Sequence, residues 1–212
     1  MVAEYFSDDI KLETERLILR KVKPSDAADM YEYSCRDETC RYLLWEKHPF
    51  YSYTLELTKH LQREYAQGRY LDFAIELKEN HKMIGTVGFT QVDEKNFGCE
   101  AGYVISPDHW GKGIAAEALN ALLNFAFCEL KMKRVEAKYM VENTASRRVM
   151  EKCGMSFEGI QRSKLFVKDK FRDIGVCAVI SDDYFSIPRK NIFKNPEKLS
   201  LLEKLARKCS KN

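Results

Sequence analysis

The chain has 212 residues, of which 45% are hydrophobic and 12% aromatic, with a formal net charge of +3 and seven cysteines. A chain with this many apolar residues can form one packed domain without stabilisation by disulfides or metal ions. There is no secretory leader in MVAEYFSDDI, no apolar run of about 18 residues and no CxxC pair, so we expect a cytoplasmic protein with reduced thiols, no membrane span and no metal.

The charge is uneven along the chain. Residues 186–212 hold eight Lys or Arg and two Glu, which gives this tail a net charge of +6 and leaves −3 for the rest. Asn195-Pro196-Glu197 resembles a helix start, and leucines at helical spacing follow it. We therefore divide the chain into a domain at 1–185 and a basic extension at 186–212 with an amphipathic helix. Nucleic acid is not the expected partner, because so short a tail without a groove binds phosphates weakly.

The first third of the chain predicts one strand and two or three helices. Residues 16–22 alternate in polarity like a strand, and Ser25 or Asp26 begins a helix that runs from Ala27 to about Arg36. The aromatic stretch 37–53 indicates irregular structure with a short helix. A longer helix follows from Tyr53 to Gln67, closed by Gly68.

The remainder predicts a sheet with helices on both faces. Strands at 70–78, 82–93 and 97–105 are joined by short polar turns, which favours an antiparallel meander. The later elements are a helix at 113–130, a strand at 133–140, a helix at 144–152 and strands at about 156–167 and 172–181. The strand–helix–strand passage at 97–140 requires a parallel crossover, so the fold class is mixed α/β (α+β).

The segment SPDHWGKGIAAEAL at 106–119 carries the chemistry. A strand ends, a short loop passes through two glycines, and a long helix begins at once. Glycines let the backbone approach a ligand closely, and the first amide groups of a helix have no helical partner. With the helix dipole they form an anion site that suits a pyrophosphate.

Two nucleotide-binding motifs compete for this loop. A Walker loop fails, because Lys112 is followed by Gly113 rather than by Ser or Thr. The dinucleotide fingerprint GxGxxA matches literally at 111–116, and Glu129 or Glu136 supplies an acid about twenty residues further on. The preceding strand follows a meander and contains Glu and Gly, which is atypical of that fingerprint, so it remains the less favoured alternative.

The run YVISPDHWGKGIAAEAL resembles the CoA-binding signature Q/R-x-x-G-x-G/A of the GNAT N-acetyltransferase superfamily, with Trp110, Gly113 and Ala115 at its three fixed positions. The segment from Asn143 to Phe157 is similar to N-x-x-S-x-x-V-x-E-K-x-G-F of the branch that acetylates ribosomal-protein N-termini. LETERLILR at 12–20 also resembles the start of such domains. The resemblance spans roughly residues 12–185.

This resemblance implies a mostly antiparallel sheet with a central, splayed parallel pair of strands. It also implies direct transfer of an acetyl group from acetyl-CoA to a primary amine, either a protein N-terminus or a small molecule, in a ternary complex of a monomer or homodimer without metal. Many relatives place a Tyr where this sequence has Met150. A non-catalytic acyl-CoA sensor is therefore the alternative.

The resemblance also assigns the cofactor residues. Asn143 and Ser146 would contact the pantetheine arm, which would pair with backbone groups near Tyr103, Val104 and Ile105. An amide near Val104 would polarise the thioester carbonyl. The pyrophosphate would lie beside Trp110 on the amides of Gly111, Lys112, Gly113, Ile114 and Ala115.

The reacting groups are harder to assign. A general base must remove a proton from the acceptor ammonium, and Glu100 on the central strand is the candidate. Ser146, with Tyr139 behind it, is the candidate acid. Asp173 and an aromatic cluster are expected near the acceptor; the cluster comprises Tyr42, Trp45, Phe50, Tyr51 and Tyr53, of which Trp45 and Tyr51 are named as substrate-binding.

Overall fold

The computed structural model describes residues 10–186. Their strands are β1 (Lys11–Glu13), β2 (Leu17–Arg20), β3 (Asp72–Leu77), β4 (Met83–Asp93), β5 (Gly98–Ile105), β6 (Arg134–Met140), β7 (Ser156–Val167) and β8 (Lys170–Ile180). Their helices are α1 (Ala27–Ser34), α2 (Asp37–Cys40), α3 (Tyr51–Ala66), α4 (Ile114–Asn124), α5 (Thr144–Lys152) and α6 (Ser181–Ser186). The helix expected in the basic extension lies outside the described residues.

The strands form one sheet in the order β1-β2-β3-β4-β5-β6-β8-β7. Every neighbouring pair is antiparallel except β5 and β6, which run parallel because α4 crosses between them. The predicted mixed sheet with a central parallel pair is therefore confirmed. The dinucleotide alternative is wrong, since that fold requires a mostly parallel sheet.

The parallel pair opens along its length. β5 and β6 are paired only from Gly98 with Arg134 to Ala101 with Ala137. Beyond that point β5 continues to Ile105 and β6 to Met140 without pairing to each other. The backbone edges of the two strands therefore face an open gap, which we call the β5–β6 gap.

Helices cover both faces of this sheet. Side chains alternate between faces along a strand. The Tyr103 hydroxyl reaches Ser146 of α5, whereas the neighbouring side chain of Val104 lies on the opposite face with α1 and α3. On the first face α4 and α5 pack together, and the Cys153 thiol donates to the Ala116 carbonyl. The expectation of helices on both faces is confirmed.

A buried ion pair fixes the start of α1. The Arg20 guanidinium donates to both carboxylate oxygens of Asp26 at 2.7 and 2.8 Å, and also to Glu76 of β3. All three side chains are buried, so each charge is stabilised by an opposite one. This contact joins β2, β3 and the first helix, and so positions α1 over the sheet.

The element boundaries differ from the prediction at a few points. The short strand β1 and the final helix α6 were not predicted, since three and six residues carry too little periodicity. The long helix ends as α4 at Asn124 and continues as a π turn over Phe125–Glu129, with the Leu130 amide donating to the Phe125 carbonyl. α3 begins at Tyr51, two residues earlier than expected.

Candidate active site

The loop between β5 and α4 presents free backbone amides. Gly111 and Gly113 have φ angles of +73° and +77°, a conformation that side chains rarely adopt. Gly113 is the N-cap of α4, and no side chain caps the helix. The amides of its first turn therefore point outward at the positive end of the helix dipole. This arrangement fits a diphosphate group.

Two contacts hold this loop in place. The indole Nε1 of Trp110 donates to the Ile105 carbonyl at 2.8 Å and ties the loop to the end of β5. On the other side, Arg16 donates to the Lys112 carbonyl at 2.9 Å and to the Glu117 carboxylate of α4 at 2.7 Å. Sequence reasoning missed Arg16 and Glu117, although Arg16 lies in the LETERLILR segment that carried part of the resemblance.

The direction of the β5 amides shows which of them face the β5–β6 gap. The Ser106 amide donates to the Ile84 carbonyl of β4 at 2.7 Å. Because successive peptide groups point to opposite edges of a strand, the Val104 amide also faces β4. The amides of Tyr103 and Ile105 face the β5–β6 gap. They are the amides near Val104 that an acetyl-CoA thioester in the gap could reach.

Three predicted residues lie together on the α5 side of this gap. The Asn143 side chain accepts a hydrogen bond from the Ser146 amide at 3.2 Å, so it caps α5. The Tyr103 hydroxyl lies 2.8 Å from the Ser146 hydroxyl and donates to the Ser146 carbonyl at 3.0 Å. Burial raises the pKa of Tyr103. The result is a protonated hydroxyl pair next to the gap.

Two further residues concern the acid role, Met150 and Tyr139. Met150, at the position where many relatives have Tyr, is buried with 1% of its surface exposed. The ring of Tyr139 lies directly over Gly175 of β8, so its hydroxyl is on the β8 side of β6. Burial raises the pKa of Tyr139. The Tyr139 side chain interacts with Arg147, the residue that follows Ser146 on α5.

Glu100, the predicted base, forms an ion pair. Its carboxylate accepts a hydrogen bond from the Lys138 ammonium at 2.6 Å, and Lys138 also contacts Glu136 at 3.1 Å. Glu100 stands opposite Glu136 in the part of β5 and β6 that remains paired. It lies four residues before Val104, about 13 Å along the strand. The Glu100 carboxylate is therefore already engaged by a cation, away from the unpaired part of β5.

The other face of the sheet contains a cavity of about 380 Å³, which we call the α1–α3 cavity. Most of its lining side chains are apolar or aromatic: Met30, Tyr33, Ser34, Trp45, His48, Tyr53, Leu57, Leu61, Tyr70, Asp72, Thr86 and Val104. Val104 connects the cavity with the β5–β6 gap: its side chain lines the cavity, and the backbone amides of its two neighbours in β5 face the gap. An acceptor in this cavity would approach the gap from the face opposite α4 and α5.

The structure separates the three residues predicted to bind substrate. Trp45 lines the α1–α3 cavity. Tyr51 does not line it and is half-exposed, packed edge-to-face against Tyr31 at 6.2 Å. The Asp173 carboxylate accepts a hydrogen bond from the Ser163 amide at 2.7 Å, where β7 is irregular. Asp173 therefore supports the β7–β8 hairpin.

His48 is a cavity residue that sequence reasoning missed. Ser34 donates its hydroxyl proton to the Met30 carbonyl at 2.6 Å, so its oxygen accepts from His48 Nδ1 at 2.9 Å. Thr54 lies 2.8 Å from the same nitrogen. These contacts place the ring proton on Nδ1, and burial lowers the pKa of His48. His48 is thus neutral near pH 7.

Asp72, the first residue of β3, is the second cavity residue that was missed. Desolvation by burial raises the pKa of Asp72 to about 6, an effect that the nearby Tyr70 hydroxyl partly offsets. The sequence signal was weak, because an Asp at the start of a strand usually belongs to a turn.

Among residues 10–186, no cluster of His, Cys, Asp or Glu is arranged to hold a metal ion. In the same range no helix combines the length and apolar character that a membrane span requires. The cytoplasmic location and the monomeric or dimeric state stay predictions.

Comparisons with known proteins agree with this geometry. A model of the acetyltransferase (GNAT) domain matches residues 16–156. The uncharacterized N-acetyltransferase p20 of Bacillus licheniformis is 31% identical over 173 residues, 82% of this chain and 97% of p20. The ribosomal-protein-serine acetyltransferase of Escherichia coli is 27% identical and covers 80% of this chain and 95% of its own.

A solved structure shows the same architecture. The GNAT-family acetyltransferase from Bacillus anthracis superposes with a TM-score of 0.73 at 26% identity, covering 82% of this chain and 99% of that one. The uncapped loop before α4, the β5–β6 gap and these matches all lead to one conclusion. The chain belongs to the GNAT family of acetyltransferases, and it is an N-acetyltransferase.

Proposed function

We propose that this enzyme binds acetyl-CoA in the β5–β6 gap and transfers the acetyl group directly to a primary amine within a ternary complex. The observation that carries the proposal is the uncapped start of α4 beside the open edge of β5. One region offers amides for a diphosphate and the other offers an unpaired strand edge for an extended arm. Acetyl-CoA, when bound, supplies the activated acetyl thioester.

The chain's own residues would hold this cofactor in two ways. The amides of residues 111–115 would bind the diphosphate, with Trp110 and Arg16 keeping the loop in shape. Gap-facing backbone groups of Tyr103 and Ile105 would pair with the pantetheine arm. The Asn143 side-chain oxygen is engaged by Ser146, which leaves its amino group for the arm.

We assign the acid role to the hydroxyl pair of Ser146 and Tyr103. Ser146 Oγ would give its proton to the leaving sulfur, and Tyr103 Oη, 2.8 Å away, would replace it once its O–H turns from the Ser146 carbonyl to Oγ. Burial keeps the Tyr103 hydroxyl protonated at neutral pH because it raises its pKa. The missing Tyr at position 150 is thereby replaced by a residue from a different element, β5 rather than α5.

The acceptor would enter through the α1–α3 cavity. The E. coli relative is named for a ribosomal-protein serine, which supports a protein N-terminus as one acceptor class. The cavity volume of about 380 Å³ also suits a small-molecule amine. Trp45 would contact either type of acceptor, since it lines the cavity.

The test is thiol release from acetyl-CoA with a panel of small amines and N-terminal peptides. We expect thiol release to require an amine, and mass spectrometry of the enzyme with acetyl-CoA alone to show no acetylated protein. CoA binding in calorimetry without thiol release on any amine would instead support the acyl-CoA sensor. An acetyl-enzyme that forms and decays at the turnover rate would contradict direct transfer.

A further inference from the structure

The α1–α3 cavity carries a single formal charge near neutral pH among its lining residues. Asp72 is the one carboxylate there, and no Lys or Arg lines the cavity. Ligand pockets of this kind use a few polar groups in an apolar wall to fix the orientation of a ligand. The charge of Asp72 therefore faces any amine that enters.

The titratable groups around Asp72 are neutral. Tyr33 faces it from α1, Tyr65 from α3 and Tyr70 from the adjoining chain, and burial raises the pKa of all three. His48 lies across the cavity, and burial lowers its pKa. No ion pair to Asp72 is present within the described part of the chain, so its carboxylate has no counterion of its own.

Asp72 lies two strands away from β5 in the sheet beneath the cavity. Asp72 stands opposite Gly88 on β4, and Gly88 stands opposite Gly102 on β5. The Asp72 Oδ1 atom occupies space that a Cβ on Gly88 would need, so the carboxylate leans over β4 towards β5. Gly102 is the first residue of β5 beyond its last pair with β6, at Ala101. The two glycines add no side chains of their own between the carboxylate and the gap, and the Thr90 methyl group lies against Gly102.

Neither of the other two candidates fits the role of base as well. Glu100 is neutralised by Lys138 at 2.6 Å and lies in the paired part of β5 and β6. His48 has no charge with which to attract a cation, and its lowered pKa makes it a weaker proton acceptor.

We propose that Asp72 binds the ammonium group of the acceptor and takes its first proton, and that the acceptor is a primary amine on an apolar or aromatic body without a carboxylate. This inference rests on the proposed function and names the base and the acceptor class of that same site.

Two protons leave the acceptor nitrogen during the reaction. The ammonium gives one proton to Asp72, and the freed nitrogen forms a C–N bond to the acetyl carbon as the C–S bond of the thioester breaks. The second proton on nitrogen goes to the leaving sulfur through the hydroxyl pair of Ser146 and Tyr103. Asp72 then returns its proton to solvent, so an ammonium and a thioester yield an amide, a thiol and one proton.

The acceptor class follows from the cavity wall. The aromatic rings of Tyr33, Trp45 and Tyr53 favour an apolar body next to the ammonium. A polyamine would leave further ammonium groups without acidic partners, and a carboxylate would meet Asp72 with like charge. Both a free arylalkylamine and a peptide with an aromatic first residue present this chemistry.

The test measures acceptor binding without acetyl-CoA, and transfer with it. Calorimetry uses 2-phenylethylamine, spermidine and peptides that begin with Phe or Ser. We expect the wild type to bind 2-phenylethylamine or the Phe peptide at least tenfold more tightly than the other two at pH 7.5; the better of the two identifies the source of the amine. Asp72→Asn should weaken that binding at least thirtyfold, roughly the loss expected for a desolvated charge pair.

The pH dependence of transfer provides a second readout. For the wild type kcat/KM should fall below an apparent pKa of about 6, and this acidic limb should disappear in Asp72→Asn. Asp72→Glu should restore part of the binding. Asp93→Asn, which removes an exposed carboxylate at the far end of β4, is the matched control and should leave both readouts unchanged.

Two results would overturn the inference. One is binding by Asp72→Asn within twofold of the wild type, with a cooperative thermal transition no lower than that of the wild type and an unchanged CoA affinity to show that it is folded. The other is loss of the acidic limb in Glu100→Gln rather than in Asp72→Asn. The proposed function would survive either result, whereas it fails separately if the wild type binds CoA but acetylates none of the amines.

Discussion

The cofactor half and the acceptor half of this site are built from different material. The proposed cofactor half consists mainly of backbone groups from two short stretches, 103–115 and 143–146, each continuous in sequence. The acceptor half consists of side chains from α1, the following loop, α3, β3, β4 and β5. The cofactor half could therefore be identified from a sequence motif. The acceptor half has no sequence motif, because its residues come together only in the folded protein.

Because of this difference, we expect the two halves to respond differently to substitution. Backbone sites depend on conformation, so glycines with positive φ are their weak points. Side-chain sites depend on charge and shape, so conservative substitutions of single residues should change acceptor recognition while leaving CoA affinity intact.

The largest effect is expected at the start of α4. Gly113→Val places a β-branched residue at φ +77°, which should shift the loop and weaken CoA binding at least a hundredfold in calorimetry. Gly68→Val is the matched control, because Gly68 has φ +65° at the end of α3. Gly68→Val should lower the free energy of unfolding about as much as Gly113→Val does, but it should leave the affinity for CoA unchanged. Equal losses of affinity in both variants would refute a specific role for the loop.

The next effect concerns stability. The pKa of Asp72 is about 6 in the folded protein and near 4 in an unfolded chain, so its ionisation opposes folding above pH 6. Asp72→Asn should therefore increase the free energy of unfolding at pH 7.5 by on the order of 2 kcal/mol. The difference should vanish as the pH falls from 6 to 4. Urea unfolding of both proteins at pH 7.5 and at pH 4 checks this prediction. A variant less stable than the wild type at pH 7.5 would contradict the burial of this charge.

A smaller effect should separate two aromatic residues of the acceptor half. Trp45→Ala removes part of the cavity wall and should raise the acceptor KM about tenfold, the equivalent of about 1.4 kcal/mol, with CoA affinity unchanged. Tyr51→Ala alters a half-exposed ring outside the lining and should change KM less than twofold. Similar KM changes in the two variants would argue against the α1–α3 cavity as the acceptor site.

The smallest effect is expected on the cofactor side. Ser146→Ala removes one hydroxyl of the pair while Tyr103 remains, so kcat should fall about fivefold, less than the full effect of a general acid. The Tyr103→Phe/Ser146→Ala double variant should lose much more than the two single variants suggest, because one hydroxyl replaces the other. Strictly additive losses in steady-state kinetics would show that the hydroxyls act independently.

The sequence was most informative where a local pattern had a physical cause. The twin glycines of 111–113, the Asn143 cap and the helix at 144–152 lie where the pattern predicted them. It was least informative about partners distant in sequence. Glu100 was predicted as the base before folding placed Lys138 against it, and Asp72 was one residue of the predicted strand 70–78 with no role assigned until α1 and α3 formed a cavity beside it.

By itself the sequence determined the mixed sheet, the family and the glycine loop before α4, because periodicity, glycine conformation and helix caps act over a few neighbouring residues. Tertiary structure alone decided which carboxylate is paired and which is left without a counterion, and which aromatic rings line a cavity. The pKa of a group and the shape of a pocket depend on desolvation by elements far apart in the chain, and no local pattern encodes their approach.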